Sequence, residues 1–218
     1  MTKHGESAAA TAWDQRSYQV RFDWGLAGLR RLAPADLTVV VDVLGFSASA
    51  LEALTADGDD VTPLPAGQIA QHIAHEAVAA GSTVVLACLR NVAAVAQAAL
   101  AEQVTRGVRT SIAVIAVPAA TSEGEIFAVE NLLGAGAVID ALATLGTDHS
   151  SPEAAVACEG FAGLRRAVGH LISASGSGRD LVERGLAEHV ATASVLNDSQ
   201  LVPVVSAHGI SARSSAQR

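Results

Sequence analysis

The stretch TVVVDVLGFSASALEAL, residues 38–54, decides the fold class of this chain. Its β-branched run carries one aspartate, Asp42, near its end, passes through a Gly-Phe-Ser turn and enters an apolar, alanine-rich helix. Ligands of open α/β sheets bind outside the carboxyl ends of the strands. An aspartate at such an end, followed by hydroxyl groups at a helix N-terminus, suits a metal ion and an anionic substrate. The same aspartate would also serve simply to cap the next helix.

Segments of this kind recur along the chain. Apolar runs alternate with alanine-rich stretches of roughly a dozen residues, which predicts a mainly parallel sheet with right-handed crossovers. The predicted strands cover residues 18–24 (at a sheet edge), 38–44, 61–65, 83–89, 111–117 and 201–205. The predicted helices cover residues 26–32, a segment from Ser47 onward, 68–80, 92–104, 122–145 and 153–172, while 190–196 fits either a helix or a strand.

The length of 218 residues predicts one large domain or two small ones in close contact. We expect a single domain over residues 17–208, with two lobes divided near 147–152 as the alternative, and flexible termini at 1–16 and 209–218. Half of the residues are apolar but only 3% are aromatic, so alanine, valine and leucine must build the core. That composition suits helices packed closely on a sheet.

The formal net charge of −8 argues against binding to nucleic acid or to a bilayer. An acidic chain that binds an anion must concentrate positive potential locally, through a metal, a few arginines or helix N-termini. The first residues lack a signal-peptide pattern and no apolar run is long enough to cross a membrane, so we expect a cytoplasmic location. The small residues at 134–137 would let a neighbouring element approach closely and are compatible with a homodimer.

A second pattern lies at residues 175–180, SGSGRD. The glycines allow backbone N–H groups to converge, the following helix adds its positive end, and Arg179 can bind two anionic oxygens. The alternative is purely structural, because Ser177 and Asp180 have the spacing of a capping box.

Acidic residues form a third pattern, at the start of the predicted helix 122–145, where Ser122 and Glu125 fit a capping box. A metal ion could recruit one or two carboxylates there, since magnesium takes few protein ligands and keeps several waters. The alternative is a solvated first turn favoured by the helix dipole. The residues concerned are Glu123, Glu125, Glu130 and Asn131.

The sequence patterns of other common active sites are absent or weak. The seven histidines form no HxH, HExxH or spaced Cys/His set, which argues against a zinc site. No GxSxG elbow supports a Ser-His-Asp triad. Cys88 ends a predicted strand and could be a nucleophile, but a buried structural thiol is the more frequent role of such a residue.

Taken together, these segments resemble the ComB-type 2-phosphosulfolactate phosphatase family. The matching motifs, in the family's order, are RFDWG at 21–25, VVVDVLGFSAS at 39–49, ENLLGAGAVI at 130–139 and SGSGRDLVERGLAEHV at 175–190, followed by Pro203. The resemblance implies a three-layer α/β/α fold with a mainly parallel sheet. It also implies a cytoplasmic, magnesium-dependent hydrolase of a small phosphorylated hydroxy acid.

Carried over residue by residue, the resemblance implies a site. Asp42 and Glu130 would hold Mg²⁺, and Asp42 and Arg179 would be the catalytic groups. A metal-bound water, or a nucleophile that the sequence does not identify, would attack phosphorus. The predicted contacts to the phosphorylated metabolite are Ser47, Ser49, Arg90, Asn91, Ser175, Ser177 and Gly178.

The chain also departs from the family at three places. Gly45 stands where many relatives have Arg or Ser, residues 88–91 replace an Asn-Gly-rich segment, and residues 118–120, Pro-Ala-Ala, replace Gly-Glu-Arg. Two hypotheses follow. In the first, the protein is an active phosphatase with a different substrate, in which Arg90 replaces a missing arginine and Glu123 or Glu125 a missing acid. In the second, it binds a phosphorylated or sulfonated metabolite without turnover.

Overall fold

Buried apolar strands form the centre of the protein. Residues 11–57 and 67–214 are described by the computed structural model, and all statements on structure refer to them. The main-sheet strands are β1 Val20–Trp24, β2 Leu37–Val41, β3 Thr83–Ala87, β4 Ile112–Ala116, β7 Leu201–Ser206 and β8 Gly209–Ser214, and a separate hairpin is formed by β5 Ala119–Thr121 and β6 Gly124–Ile126. The sheet has the order β1-β4-β2-β3-β7-β8. Strands β1 to β4 pair in parallel, whereas β7 and β8 pair antiparallel.

Helices cover both faces of this sheet, so the predicted three-layer α/β/α fold is confirmed. Val39 and Val41 point into one apolar cluster, which packs mainly against the helices between residues 92 and 193. Val40 points into the cluster on the opposite face of the sheet. This alternation is the reason why the parallel strands are apolar throughout. The helices are α1 Gly25–Arg31, α2 Phe46–Asp57, α3 Gln68–Ala79, α4 Val92–Arg106, α5 Val129–Thr144, α6 Pro152–Leu164, α7 Val168–Ala174, α8 Gly176–Glu183 and α9 Ala187–Ala193.

The small residues of α5 do allow close packing. A Cβ atom on Gly136 would lie 2.1 Å from the backbone oxygen of Ala157 in α6, and one on Gly134 would lie 2.5 Å from Val43. Both contacts are far shorter than a carbon atom tolerates, so glycine is required for α5 to reach α6 and the end of β2. Within the described residues, no helix is both long and apolar enough to span a bilayer.

The prediction of one helix over residues 122–145 is wrong in its first part. Residues 119–126 form the β5–β6 hairpin, and α5 begins only at Val129. Gly124 has a φ of 124°, and the Thr121 hydroxyl donates to its carbonyl oxygen while accepting from the N–H of Glu123. These turn interactions replace the predicted Ser122–Glu125 capping box.

The C-terminal part of the chain also differs from expectation. Residues 209–214 of the predicted tail form β8, which pairs with β7 along its whole length. Residues 187–193 are helical, which agrees with one of the two alternatives predicted for 190–196. At the other end, Gln15 in the predicted N-terminal tail is buried and exchanges two side-chain hydrogen bonds with the backbone of Phe22. The predicted strand 61–65 lies outside the described residues.

The topology creates a crevice beside β2. The chain reverses its strand order there, because β3 pairs with one side of β2 and β4 with the other. Crevices of this kind, at the carboxyl ends of the strands, are where open α/β sheets bind ligands. Asp42 follows β2 directly, Cys88 follows β3 and Val117 follows β4, so these positions lie along one edge of the sheet.

Candidate active site

A cavity of about 540 Å³ opens at the carboxyl ends of β2 and β4. Its size lies within the range of roughly 300–1,000 Å³ that is usual for small-molecule sites. The walls come from the turn at residues 42–45, the β5–β6 hairpin, the first turn of α5 and one face of α8. Two predicted metal ligands, Asp42 and Glu130, and one predicted phosphate contact, Ser177, are brought together here.

Asp42 is buried at the bottom of the β2 turn. Its Oδ2 accepts a hydrogen bond of 2.7 Å from the N–H of Phe46 at the start of α2, so the capping role considered for this residue is confirmed. Burial, with a smaller contribution from neighbouring Glu130, raises the pKa of Asp42 to about 6 despite the hydrogen bonds that favour the charged form. An ionised Asp42 is therefore costly in the protein without a cation beside it.

Glu130 is the second buried carboxylate of the cavity. It is 3% exposed, and no residue in the described ranges forms an ion pair or hydrogen bond with its side chain. Glu130 lies in the first turn of α5, which begins at Val129, rather than more than two turns inside the predicted helix that begins at Ser122. The Glu130 oxygens are not among the fully buried side-chain atoms that lack a partner in the described residues, so they open onto the cavity, where a cation could reach them.

Asn131 connects the pieces of this site, although it was not among the predicted contacts. Its Oδ1 accepts from the N–H of Val43 at 2.7 Å, and its Nδ2 donates to the carbonyl oxygen of Val117 at 2.7 Å. A longer contact of 3.4 Å joins Nδ2 to Oδ1 of Asp42. The amide thus fixes the ends of β2 and β4 relative to α5. The sequence feature that could have identified Asn131 as a site residue is its position directly after Glu130.

The donor set fits a magnesium ion. Asp42 and Glu130 line one cavity, and Glu130 acts electrostatically on Asp42. Magnesium commonly uses one or two carboxylates and completes its octahedron with water and phosphate oxygens. No cluster of three or more His, Cys, Asp or Glu side chains that could hold a metal ion occurs within the described ranges, and the candidate ligands are these two carboxylates.

Helix α8 presents Ser177 and Arg184, rather than Arg179, to the cavity. The residues of α8 at the wall repeat at helical spacing, and Arg179 lies on the opposite face, exposed to solvent. The helix begins two residues earlier than the capping box at Ser177 would require, because Ser175 is its N-cap and accepts from the N–H of Gly178. That shift in phase brings Arg184 to the cavity in place of Arg179.

The other predicted contacts on α8 have structural surroundings. The Ser175 side chain is buried and makes two hydrogen bonds, one to the N–H of Gly178 and one to the carbonyl oxygen of Ile172. A Cβ atom on Gly178 would lie 2.2 Å from that same oxygen, so glycine is needed for α8 to pack on the end of α7. Ser175 and Gly178 therefore shape the helix start and do not line the cavity.

Ser47 and Ser49 are turned away from the cavity into the protein. The Ser47 hydroxyl donates to the carbonyl oxygen of Val40 at 3.1 Å. The Ser49 hydroxyl is buried and has no hydrogen-bond partner in the part of the chain that the structure describes. The predicted phosphate contacts at these two positions are thus not supported by their placement, because α2 begins at Phe46 and points both hydroxyls elsewhere.

Arg90 and Asn91 are also engaged elsewhere. Arg90 forms ion pairs with Asp198 at 2.9 Å and Glu52 at 3.8 Å, and it is absent from the cavity wall. Asn91 is fully buried, where it accepts from the N–H of Cys88 and donates to two backbone oxygens. Both residues stabilise the loop after β3, so Arg90 does not replace a missing cavity arginine.

The hairpin supplies an apolar wall instead of charged groups. Pro118, Ala119 and Ala120 line the cavity where the resembled family has Gly-Glu-Arg. Glu123 and Glu125 are exposed and do not line it, so neither replaces the missing acid.

A comparison with protein families shows which family the chain belongs to. The family model described as 2-phosphosulpholactate phosphatase matches residues 71–208, which is more than half of the chain. The matched part includes Glu130, Asn131 and α8 but begins after Asp42. A search of curated proteins gives no significant match to this chain. The extent of the family match nevertheless shows that the chain belongs to the 2-phosphosulpholactate phosphatase family.

Proposed function

We propose that the protein is a magnesium-dependent phosphoric monoester hydrolase that acts on a small phosphorylated hydroxy acid. The observation that carries this proposal is the pair of buried carboxylates, Asp42 and Glu130, in a cavity at the carboxyl ends of β2 and β4. Family membership supports phosphatase chemistry, and the carboxylate pair supports a divalent cation.

Each group of the cavity has a role in this proposal. Asp42 and Glu130 hold the cation, and Asn131 keeps Asp42 oriented through the contact at its Oδ1. The N–H groups of Gly176 and Ser177, in the first turn of α8, have no hydrogen-bond acceptor within the described residues and lie beside the cavity. Such free N–H groups at the positive end of a helix bind phosphate oxygens well. Arg184 would bind a further anionic group of the substrate.

Hydrolysis adds water across the ester bond. The P–O bond to the hydroxy acid breaks, a new P–O bond to the water oxygen forms, and the leaving alkoxide receives a proton. Bound magnesium supplies neutralisation of the charge on the phosphoryl oxygens. The protein contributes position and electrostatic complementarity, which are the main sources of catalysis in phosphoryl transfer.

The alternative is a family member that binds the metabolite without turnover. The apolar stretch Pro118–Ala119–Ala120 favours it, since a site with fewer charged groups stabilises a phosphoryl transition state less. In this alternative, Asp42 and Glu130 would still bind a cation and the same ligand.

One assay separates the two functions. Purified protein is incubated with phosphorylated two- and three-carbon hydroxy acids, in Mg²⁺ or in EDTA, and released phosphate is measured. We expect magnesium-dependent release that falls at least about 100-fold in Asp42→Asn and in Glu130→Gln. Matched controls are Asp148→Asn and Glu159→Gln, which make the same chemical changes at exposed positions and should retain the activity. Ligand binding without any release would favour the alternative.

A further inference from the structure

The charges on the cavity wall restrict what the substrate can carry. Within the described part of the chain, the wall has three carboxylates and one guanidinium, from Asp42, Glu130, Asp180 and Arg184. Among the described residues, positive charge for an anionic ligand would therefore come from a bound cation, from the start of α8 and from one arginine.

That arginine is available to a ligand. Arg184 pairs with Asp180 at 3.2 Å, and the two side chains are 60% and 65% exposed. Exposed pairs of this kind contribute little stability, so Arg184 can exchange its partner for a ligand carboxylate at small cost. One guanidinium binds one carboxylate or one sulfonate well, and the described wall offers no further cationic side chain to a second such group on the same ligand.

The family's name describes a compound with more charge than this cavity can compensate. A phosphosulfolactate carries a phosphate, a carboxylate and a sulfonate. Here the phosphate would be compensated by the cation on Asp42 and Glu130, and the carboxylate by Arg184. A sulfonate would then face apolar groups and lose part of its hydration without a compensating cation on the described wall, which is unfavourable.

The remaining wall is built for an apolar group. Pro118, Ala119 and Ala120 form one side, and Ile126 and Phe127 at the end of the hairpin continue it. Phe127 is 62% exposed and its ring packs on Trp24 with a centroid distance of 5.1 Å, so the wall extends to the cavity mouth as an aromatic surface. Burial of an apolar substrate group here would remove this surface from water.

We infer that the substrate is the phosphate ester of a 2-hydroxy acid whose side chain is apolar rather than sulfonated. The inference rests on the proposed function for the placement of the phosphate, and it adds the chemistry of the side chain. Arg184 recognises the carboxylate, and the wall from Pro118 to Ala120 with Phe127 receives the side chain.

Two matched compounds test this inference. Phosphate release is measured for 2-phospho-3-phenyllactate and for 2-phosphosulfolactate, which share the phosphate and carboxylate and differ in the side chain. We expect kcat/KM to be at least about tenfold higher for the phenyl compound, a difference that corresponds to one hydrophobic group in a pocket. An equal or higher kcat/KM for the sulfonated compound would overturn the inference and leave the proposed function intact.

A gain-of-charge variant sharpens the test. Ala120→Arg places a guanidinium on the apolar wall and should narrow or reverse the preference, whereas Ala120→Gln adds length without charge and should not. An unchanged preference in a folded Ala120→Arg protein would count against the side-chain site.

Binding separates failure of the inference from failure of the proposed function. If neither compound releases phosphate, the hydrolase proposal fails, and dissociation constants in Mg²⁺ decide the side-chain question by calorimetry. Tighter binding of the phenyl compound would then support the inference. Equal binding, tighter binding of the sulfonate, or no binding of either compound would overturn it.

Discussion

The carboxylate of Asp42 lies directly against Gly45. A Cβ atom at position 45 would come within 2.4 Å of Oδ2 and 2.7 Å of Oδ1 of Asp42. Burial and the N–H groups of Phe46 and Gly45 hold the carboxylate in this position. A side chain at 45, such as the Arg or Ser of the resembled family, therefore requires a different placement of Asp42.

This contact predicts the effect of Gly45→Ala. The methyl group should displace the Asp42 carboxylate from Glu130 and weaken magnesium binding at least about tenfold, or roughly 1.4 kcal/mol. Calorimetric titration with Mg²⁺ measures the change. Gly160→Ala is the matched control, since a Cβ atom there meets no atom within 4 Å and the site lies in α6. Equal magnesium affinity in both variants would show that position 45 does not control Asp42.

The raised pKa of Asp42 predicts a pH-dependent stability of the metal-free protein. The pKa of Asp42 is about 6 in the folded protein and near 3.8 in the unfolded chain, so protonated Asp42 stabilises the fold. This stabilisation is complete below about pH 3.8 and is lost as the pH rises through about 6. Relative to Asp42→Asn, the wild type should lose roughly 3 kcal/mol at most between about pH 4 and about pH 7.5.

Urea unfolding in EDTA at several pH values measures this difference. Other titrating groups are shared by the two proteins and cancel in the comparison. Saturating Mg²⁺ should restore the stability of the wild type at high pH and leave Asp42→Asn unchanged. Parallel stability curves for the two proteins in EDTA would contradict the assignment of a raised pKa to Asp42.

The orientation of α8 about its axis predicts unequal roles for its two arginines. Arg184 lines the cavity and Arg179 lies on the opposite face, so Arg184→Gln should lower kcat/KM more than Arg179→Gln. We expect at least about a tenfold difference, because loss of a charged hydrogen-bond donor costs about 1.5–3 kcal/mol. Steady-state kinetics on the best substrate of the panel gives the ratio. A larger loss in Arg179→Gln would favour the site predicted from the sequence.

Cys88 is expected to be dispensable for catalysis. Burial raises the pKa of this thiol to about 12, so the reactive thiolate is scarce at neutral pH. The Cys88→Ala protein should keep kcat within about threefold of the wild type, with a modest loss of stability from the space left by the buried sulfur. Loss of phosphate release in a folded Cys88→Ala protein, checked by circular dichroism, would point to a thiol nucleophile instead.

The alternation of apolar strands and alanine-rich helices was sufficient to predict the sheet and its layers. Residue spacing gave wrong local predictions where the same spacing is compatible with two different structures. Ser122 and Glu125 have capping-box spacing, but the glycine between them allows the turn of a hairpin, and the tertiary packing of α5 begins only at Val129. Ser177 and Asp180 show the same ambiguity, since Ser175 two residues earlier makes the actual cap.

The candidate site was predictable only in part for a similar reason. Asp42 was predicted from its position at a strand end, whereas Glu130 was predicted from the acidic cluster and the family resemblance. The exclusion of Arg90 depends on Asp198, which lies far away in sequence and pairs with it. The inclusion of Arg184 depends on the phase of α8, and a shift of a few residues in a helix start moves a side chain to the opposite face.

The location of the cation is the central claim, and anomalous scattering from a crystal soaked in Mn²⁺ tests it most directly. Manganese prefers the same oxygen ligands as magnesium and gives a strong anomalous signal. We predict a peak between the carboxylates of Asp42 and Glu130, which disappears in crystals of Asp42→Asn. No peak at these carboxylates, or a peak that persists in Asp42→Asn, would contradict the account.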